Sequence, residues 1–165
     1  MIIYQFCELS SLQNQLDMKA EMGDQFDEMD IWKIIASVIT GLMFSYSFQR
    51  KHNGIKPSNI LWKKDGTYCL SDFGISKMYH ATWPKDAARL TVDYTAPEVL
   101  EGVTVQKRTD EWSLGVVCYQ LCMLTLPFSN PSDKLDQIVH NIMFEEPQPI
   151  PENIGYSAPL IMFIH

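Results

Sequence analysis

The chain has 165 residues, 46% hydrophobic and 20% charged, which is enough for one compact domain with a core and unlike a disordered segment. Its formal net charge of −7 sets an acidic surface against phosphate backbones. General nucleic-acid binding is therefore not expected, although a nucleotide site that brings its own cation remains open. No stretch reads as the ~18 consecutive apolar residues of a membrane helix, because Ile34 to Phe44 and Leu114 to Leu126 are both interrupted by Ser, Thr, Gly, Tyr or Gln. No basic flank, apolar stretch and small-residue cleavage site opens the chain, so no signal peptide is expected. No membrane partner is expected either, and a cytoplasmic location is the default.

In chain order, residues 2–7 read as a short strand rich in β-branched and aromatic residues, and residues 10–19 as a short helix. Residues 20–29 form a polar, acidic connection. A helix follows from Asp30, its expected cap, to about Tyr46, with Ile31, Ile34, Ile35, Val38 and Leu42 on one stripe. Residues 60–71 read as a β-hairpin turning at Lys64-Asp65-Gly66. Gly74 to Pro97 lacks periodicity and reads as a long loop, a feature that is usually functional or disordered. Thr109 to Leu124 is apolar nearly all round, which predicts a buried helix, ended by Pro127. A further helix is expected from Ser132, with Leu135, Ile138, Val139 and Ile142 as its stripe. Pro147, Pro149 and Pro151 enforce an extended segment, and Ala158 to Ile164 begins to look helical. The expected class is mainly α with small β-hairpins. Of the four cysteines, Cys7, Cys69, Cys118 and Cys122, none forms a C-x-x-C pair or sits at zinc-finger spacing from a histidine. Cys118 and Cys122 read as two small core residues on one helix face.

Four short signatures occur in order. They are His52-Asn53-Gly54-Ile55-Lys56-Pro57-Ser58-Asn59, Asp72-Phe73-Gly74, Thr91 to Glu98 ending in Ala96-Pro97-Glu98, and Asp110-Glu111-Trp112-Ser113-Leu114-Gly115. This sequence resembles the eukaryotic protein kinases, which carry H-R-D-x-K-x-x-N, D-F-G, A-P-E and D-x-W-S-L-G in the same order. The resemblance covers essentially the whole of residues 1–165 as a partial kinase domain, the large C-terminal lobe. The N-lobe is absent from these residues and the last helices are cut short. Leu121 to Phe128 and Pro147 to Ser157 are most similar to the NIMA-related (NEK) serine/threonine kinases.

The resemblance implies a magnesium site at Asn59 and Asp72, the positions that in the family hold the metal on the nucleotide. Oxygen donors of this kind suit a hard cation. It further implies a charge-balancing role for Lys56, packing roles for His52 and Phe73, and a structural anchor at Asp110 and Trp112. Gln5, Phe6 and Cys7 would be the remnant of the nucleotide hinge. Phe73, Gly74, Thr91, Ala96, Pro97 and Glu98 would belong to the activation segment, together with Thr82 and Thr95.

The pattern also fails at specific positions. The family's catalytic Asp, which takes the proton of the substrate hydroxyl, is Gly54 here, and glycine has no base to offer. The preceding Arg, which pairs with a phosphorylated activation loop, is Asn53 and carries no charge. The apolar strand leading in is Arg50-Lys51. No counterpart of the Gly-rich phosphate loop, the ATP-anchoring lysine or its partner Glu occurs, so Mg-ATP binding is expected to be weak or absent. Glu98 is expected to be a buried carboxylate without its usual Arg, which would be destabilising. Three readings follow: a pseudokinase that binds a protein partner, a serine/threonine kinase whose N-lobe lies outside these residues, or a decayed gene product.

Overall fold

The computed structural model describes residues 10–73, 91–102 and 107–164. The strand expected over residues 2–7, the hinge residues Gln5, Phe6 and Cys7, Gly74, Thr82 and most of the long loop before Pro97 lie outside the described residues.

Helix α1 (Leu12–Met22) starts at a capping box, in which Ser11 Oγ accepts from the Asn14 amide and Asn14 Oδ1 accepts from the Ser11 amide. It ends at Gly23, whose φ of 65° is the left-handed conformation that terminates helices. These two caps move the helix toward the C-terminus of the stretch expected from sequence.

Helix α2 (Glu28–Ser47) starts after Asp27, not at Asp30, and Asp27 takes the N-cap position without a side-chain capping bond. Glu28 and Asp30 occupy its first turn instead, where carboxylates complement the helix dipole. Ile31, Ile34, Ile35, Val38 and Leu42 are all buried, as the periodicity predicts. One further expectation is corrected here. By length and composition α2 is long and apolar enough to cross a membrane. Its apolar stripe is packed into the protein core, which is where that hydrophobicity is used.

Strands β1 (Ile60–Trp62) and β2 (Tyr68–Leu70) pair antiparallel, with Ile60 opposite Leu70. The Lys63 amide donates to Thr67 O and Gly66 takes a φ of 80°, so Gly66 alone of the Asp-Gly pair is left-handed. The hairpin lies against α2, where a Cβ on Gly41 would stand 3.2 Å from Leu70 Cδ1. The small residue at 41 is what permits that approach.

After the short helix α3 (Pro97–Leu100) comes α4 (Lys107–Met123), with Leu114, Val116, Val117, Cys118, Leu121 and Cys122 buried. Its end is set by Leu124 at a φ of 57°, whose N–H returns to Gln120 O, and not by Pro127 three residues later. Helix α5 (Leu135–Phe144) begins after Lys134, later than the expected Ser132, and buries Ile138 and Ile142. Residues 146–151 carry no regular structure, consistent with the three prolines. A 3-10 turn (Glu152–Ile154) then leads into α6 (Ala158–Ile164). The described residues are thus mainly helical with one hairpin. The main core joins α1, α2, α4, the hairpin and Leu160 of α6, and a smaller one joins Val92, Ile138 and Ile142. Cys118 and Cys122 lie in the main core, where burial pushes both thiols up to about 12.

Gly115 sits in the middle of α4, and a Cβ there would meet nothing within 4 Å. Glycine in a helix interior costs about 1 kcal/mol relative to alanine. Gly115→Ala is therefore expected to stabilise the full chain by up to about 1 kcal/mol. Urea denaturation would show this as a raised midpoint at an unchanged slope.

Candidate functional site

The loop between α2 and β1 is organised by one buried carboxylate from α4. Asp110 is fully buried. Its Oδ2 accepts from the His52 amide at 2.9 Å and the Tyr46 hydroxyl at 3.0 Å, and its Oδ1 accepts from the Asn53 amide at 2.7 Å. Burial and the neighbouring Asp110 both raise the Tyr46 pKa, so the phenol stays protonated and donates. Where α2 ends, Gln49 takes a φ of 57° and the Ser45 hydroxyl donates to Arg50 O, which turns the chain back toward α4. Asn53 is also left-handed, with a φ of 58°, a conformation asparagine tolerates better than most residues.

His52 is fully buried, and its Nε2 lies 2.8 Å from Ser71 O. A carbonyl can only accept, so Nε2 carries the proton. Nδ1 is buried and has no partner among the described residues. Desolvation pulls the His52 pKa below its ordinary value, outweighing Asp110, the Ser71 carbonyl and Asp72, which act the other way. The folded protein therefore holds a neutral imidazole. Its ring packs 4.3 Å, centroid to centroid, from Phe73. Phe73 packs on His52 while remaining 42% exposed among the described residues.

A pH dependence follows. Unfolded His52 takes up a proton near pH 6.5, and folded His52 does so only at lower pH. The unfolded state therefore binds more protons as pH falls below about 6.5, and stability is lost from there down through the folded pKa. Above that window the contribution is constant. His52→Gln is expected to flatten this part of the profile in urea titrations between about pH 7 and 5. An unchanged slope would contradict the assignment.

Asn59 closes the same loop from the other side, its Nδ2 donating to Gly54 O at 2.8 Å. The Ser71 amide and hydroxyl both donate to Asn59 O, at 2.9 and 3.2 Å. This places Asn59 at the foot of the hairpin beside residue 71, one position before Asp72, which has a φ of 60°. Lys56 Nζ donates to Thr91 Oγ1 at 3.2 Å. Burial lowers the Lys56 pKa, and the charge of Asp72 partly opposes that. Asn59 is thus bonded to Gly54, which presents only backbone, and the charge of Asp72 reaches Lys56. Among the described residues no cluster of three or more His, Cys, Asp or Glu could hold a metal by itself. Magnesium does not require one, since it keeps several waters and uses one or two protein oxygens together with phosphate. The Asp72 carboxylate and the Asn59 amide oxygen, whose NH2 is already engaged, are donors of that kind.

The activation-segment residues assemble on α4. Ser113 Oγ donates to Tyr94 O at 2.7 Å, and the Tyr94 hydroxyl donates to Gln120 Oε1 at 2.7 Å. Thr95 Oγ1 donates to Thr91 O, Ala96 is buried, and Pro97 opens α3. Glu98 departs from expectation. It is half-buried, not buried, and its Oε1 accepts from the Thr109 hydroxyl at 3.3 Å. Trp112 stacks on Phe128 at 5.5 Å and 10°. Tyr46 and Ser71, which hold Asp110 and the His52–Asn59 junction, were not legible as site residues, because each acts on a partner distant in sequence and neither belongs to a motif.

A family model described as the protein kinase domain matches residues 1–165. Among curated proteins, the chain is 33% identical over 120 residues to the serine/threonine-protein kinase pakH of Dictyostelium discoideum, covering 73% of this chain and 23% of that one. It is 32% identical over 151 residues to the dual specificity mitogen-activated protein kinase kinase sek-1 of Caenorhabditis elegans, covering 87% and 44%. It is 28% identical over 159 residues to the serine/threonine-protein kinase Nek1 of Mus musculus, covering 94% and 13%. The chain therefore spans less than half the length of each of these relatives.

Proposed function

Because this chain belongs to the protein kinase family, we propose that it is a pseudokinase: the C-terminal lobe of a kinase fold that acts by binding a protein partner and not by transferring phosphate. The observation that carries this reading is Gly54 at the position of the family's catalytic Asp. The loop around Gly54 is fully anchored, by Asp110 on one side and Asn59 on the other. The loop that would present the base is in place, and the base is not.

Asn59, Asp72 and Lys56 favour retained contact with a magnesium-bound phosphate. Mg-ATP binding by these residues is expected to be weak or absent. The NIMA-related kinases are the nearest subfamily by the run from Leu121 to Phe128, although the relatives found give that branch no precedence. A cytoplasmic setting suits this role.

The test is incorporation of labelled phosphate by the full chain into itself and into a general acceptor protein, beside Asp72→Ala. Incorporation no greater than that of Asp72→Ala is expected. Incorporation abolished by Asp72→Ala would establish an active kinase and overturn the proposal.

A further inference from the structure

The short connection between α1 and α2 is held from two sides. From α1, Lys19 Nζ donates to Asp24 Oδ2 and, at 2.8 Å, to Gln25 O, and it lies 5.7 Å from the centre of the Phe26 ring. From the segment before α6, the Tyr156 hydroxyl donates to Phe26 O at 2.9 Å. The Phe26 side chain is itself buried in the main core. Two successive peptide carbonyls are therefore fixed by elements more than 130 positions apart, Lys19 and Tyr156.

Glu28, the first residue of α2, carries this hold on to α6. Its Oε2 accepts from the Ser157 amide at 2.7 Å. Its Oε1 accepts from the Ser157 hydroxyl at 2.5 Å and from the Trp32 indole N–H at 3.1 Å. These three donors are neutral and all point at one group that, ionised, can only accept. The same bonds, that from the Ser157 hydroxyl foremost, hold the Glu28 carboxyl below its ordinary pKa. The Trp32 ring in turn packs edge-on against Phe163 of α6, 5.5 Å between centroids. One carboxylate thus reaches α6 twice, immediately before its first turn and through Trp32 at Phe163, with Leu160 fully buried between the two.

We propose that residues 24–28 form a clasp, closed by Lys19 on one side and by Glu28 on the other, which makes the local opening of α1 and of α6 a single event. Parts of a fold open separately when few bonds tie them together and jointly when they share a tie. Undocking α6 takes the donors away from Phe26 O and from Glu28, and the connection that Lys19 holds loosens with them. Loosening α1 acts on α6 by the same route, because coupling between two sites is reciprocal. The tie is a contiguous set of hydrogen bonds, Lys19 to Gln25, Tyr156 to Phe26 and Ser157 to Glu28. It includes no residue of the Gly54 loop, so it holds with or without phosphate transfer.

Amide hydrogen exchange of the full chain, read by mass spectrometry, tests the clasp with two variants. Glu28→Gln keeps the shape of the side chain but sets an NH2 group against the donors of Ser157 and Trp32. Lys19→Met keeps the stem over Phe26 and removes the charge and the bonds to Asp24 and Gln25. Three regions are followed: residues 161–164 of α6, the end of α1 where the Asp24 amide donates to Lys19 O, and α4 as an internal reference. Glu28→Gln is expected to speed exchange in α6 by about tenfold, and to speed it at the end of α1 as well. Lys19→Met is expected to speed exchange in α6 too, although no bond of Lys19 reaches that helix directly. Exchange in α4 stays at the wild-type rate in both. The idea is overturned if Lys19→Met changes α1 and leaves α6 as in wild type, or if Glu28→Gln leaves α6 unchanged. An equal rise in α4 would also overturn it, since that is the mark of global destabilisation and not of a local clasp.

Discussion

Replacing Asp110 with alanine is expected to destabilise the full chain by about 3–5 kcal/mol, the largest stability effect of any single change considered. The carboxylate is fully buried and accepts from two backbone amides and one phenol. Alanine removes the acceptor of all three bonds at once and breaks the bonds from the His52 and Asn53 amides. Each buried donor left unsatisfied costs about 1–3 kcal/mol. Tyr46→Phe separates the contributions, because it removes one donor and leaves the other two bonds intact. That change is expected to cost only about 1 kcal/mol. Urea denaturation midpoints measure both. An Asp110→Ala protein within about 1 kcal/mol of wild type would mean that the loop does not depend on this anchor.

Gly54→Asp carries the largest expected effect on activity. Restoring a carboxylate at this position is expected to raise phosphate incorporation in the presence of Mg-ATP by about 10²–10⁴, the usual contribution of a positioned general base. The backbone at this position can accept the change. Among the described residues the left-handed glycines are Gly23, Gly66, Gly102 and Gly155, and Gly54 is not one of them. A side chain there meets no left-handed backbone penalty. The bond from Asn59 uses the Gly54 carbonyl and survives substitution. Lys56, whose ammonium is disfavoured by burial, gains a nearby counter-charge. A Gly54→Asp protein that shows a Mg-ATP-dependent thermal shift and yet no gain in transfer would place the defect elsewhere than the missing base.

Much of the fold could be read from local pattern. The stripe from Ile31 to Leu42, the Asp-Gly hairpin and the apolar run of α4 are each set by short-range periodicity and turn chemistry, and each forms as expected. Element ends were less legible. Asp27, Glu28 and Asp30 all suit a helix start, and only the packed structure makes Asp27 the cap. The end of α4 depends on Leu124 adopting a left-handed φ, a conformation no leucine advertises.

The four motifs and the glycine at position 54 are properties of the sequence by itself, and they alone carry the family resemblance and the expected loss of the base. Whether those motifs meet is a tertiary matter. Asp110 reaches the His52 loop across 58 positions, Tyr46 reaches Asp110 across 64, and Lys56 reaches Thr91 across 35. No periodicity encodes such pairs, because burial of a charge is tolerated only where distant donors converge on it.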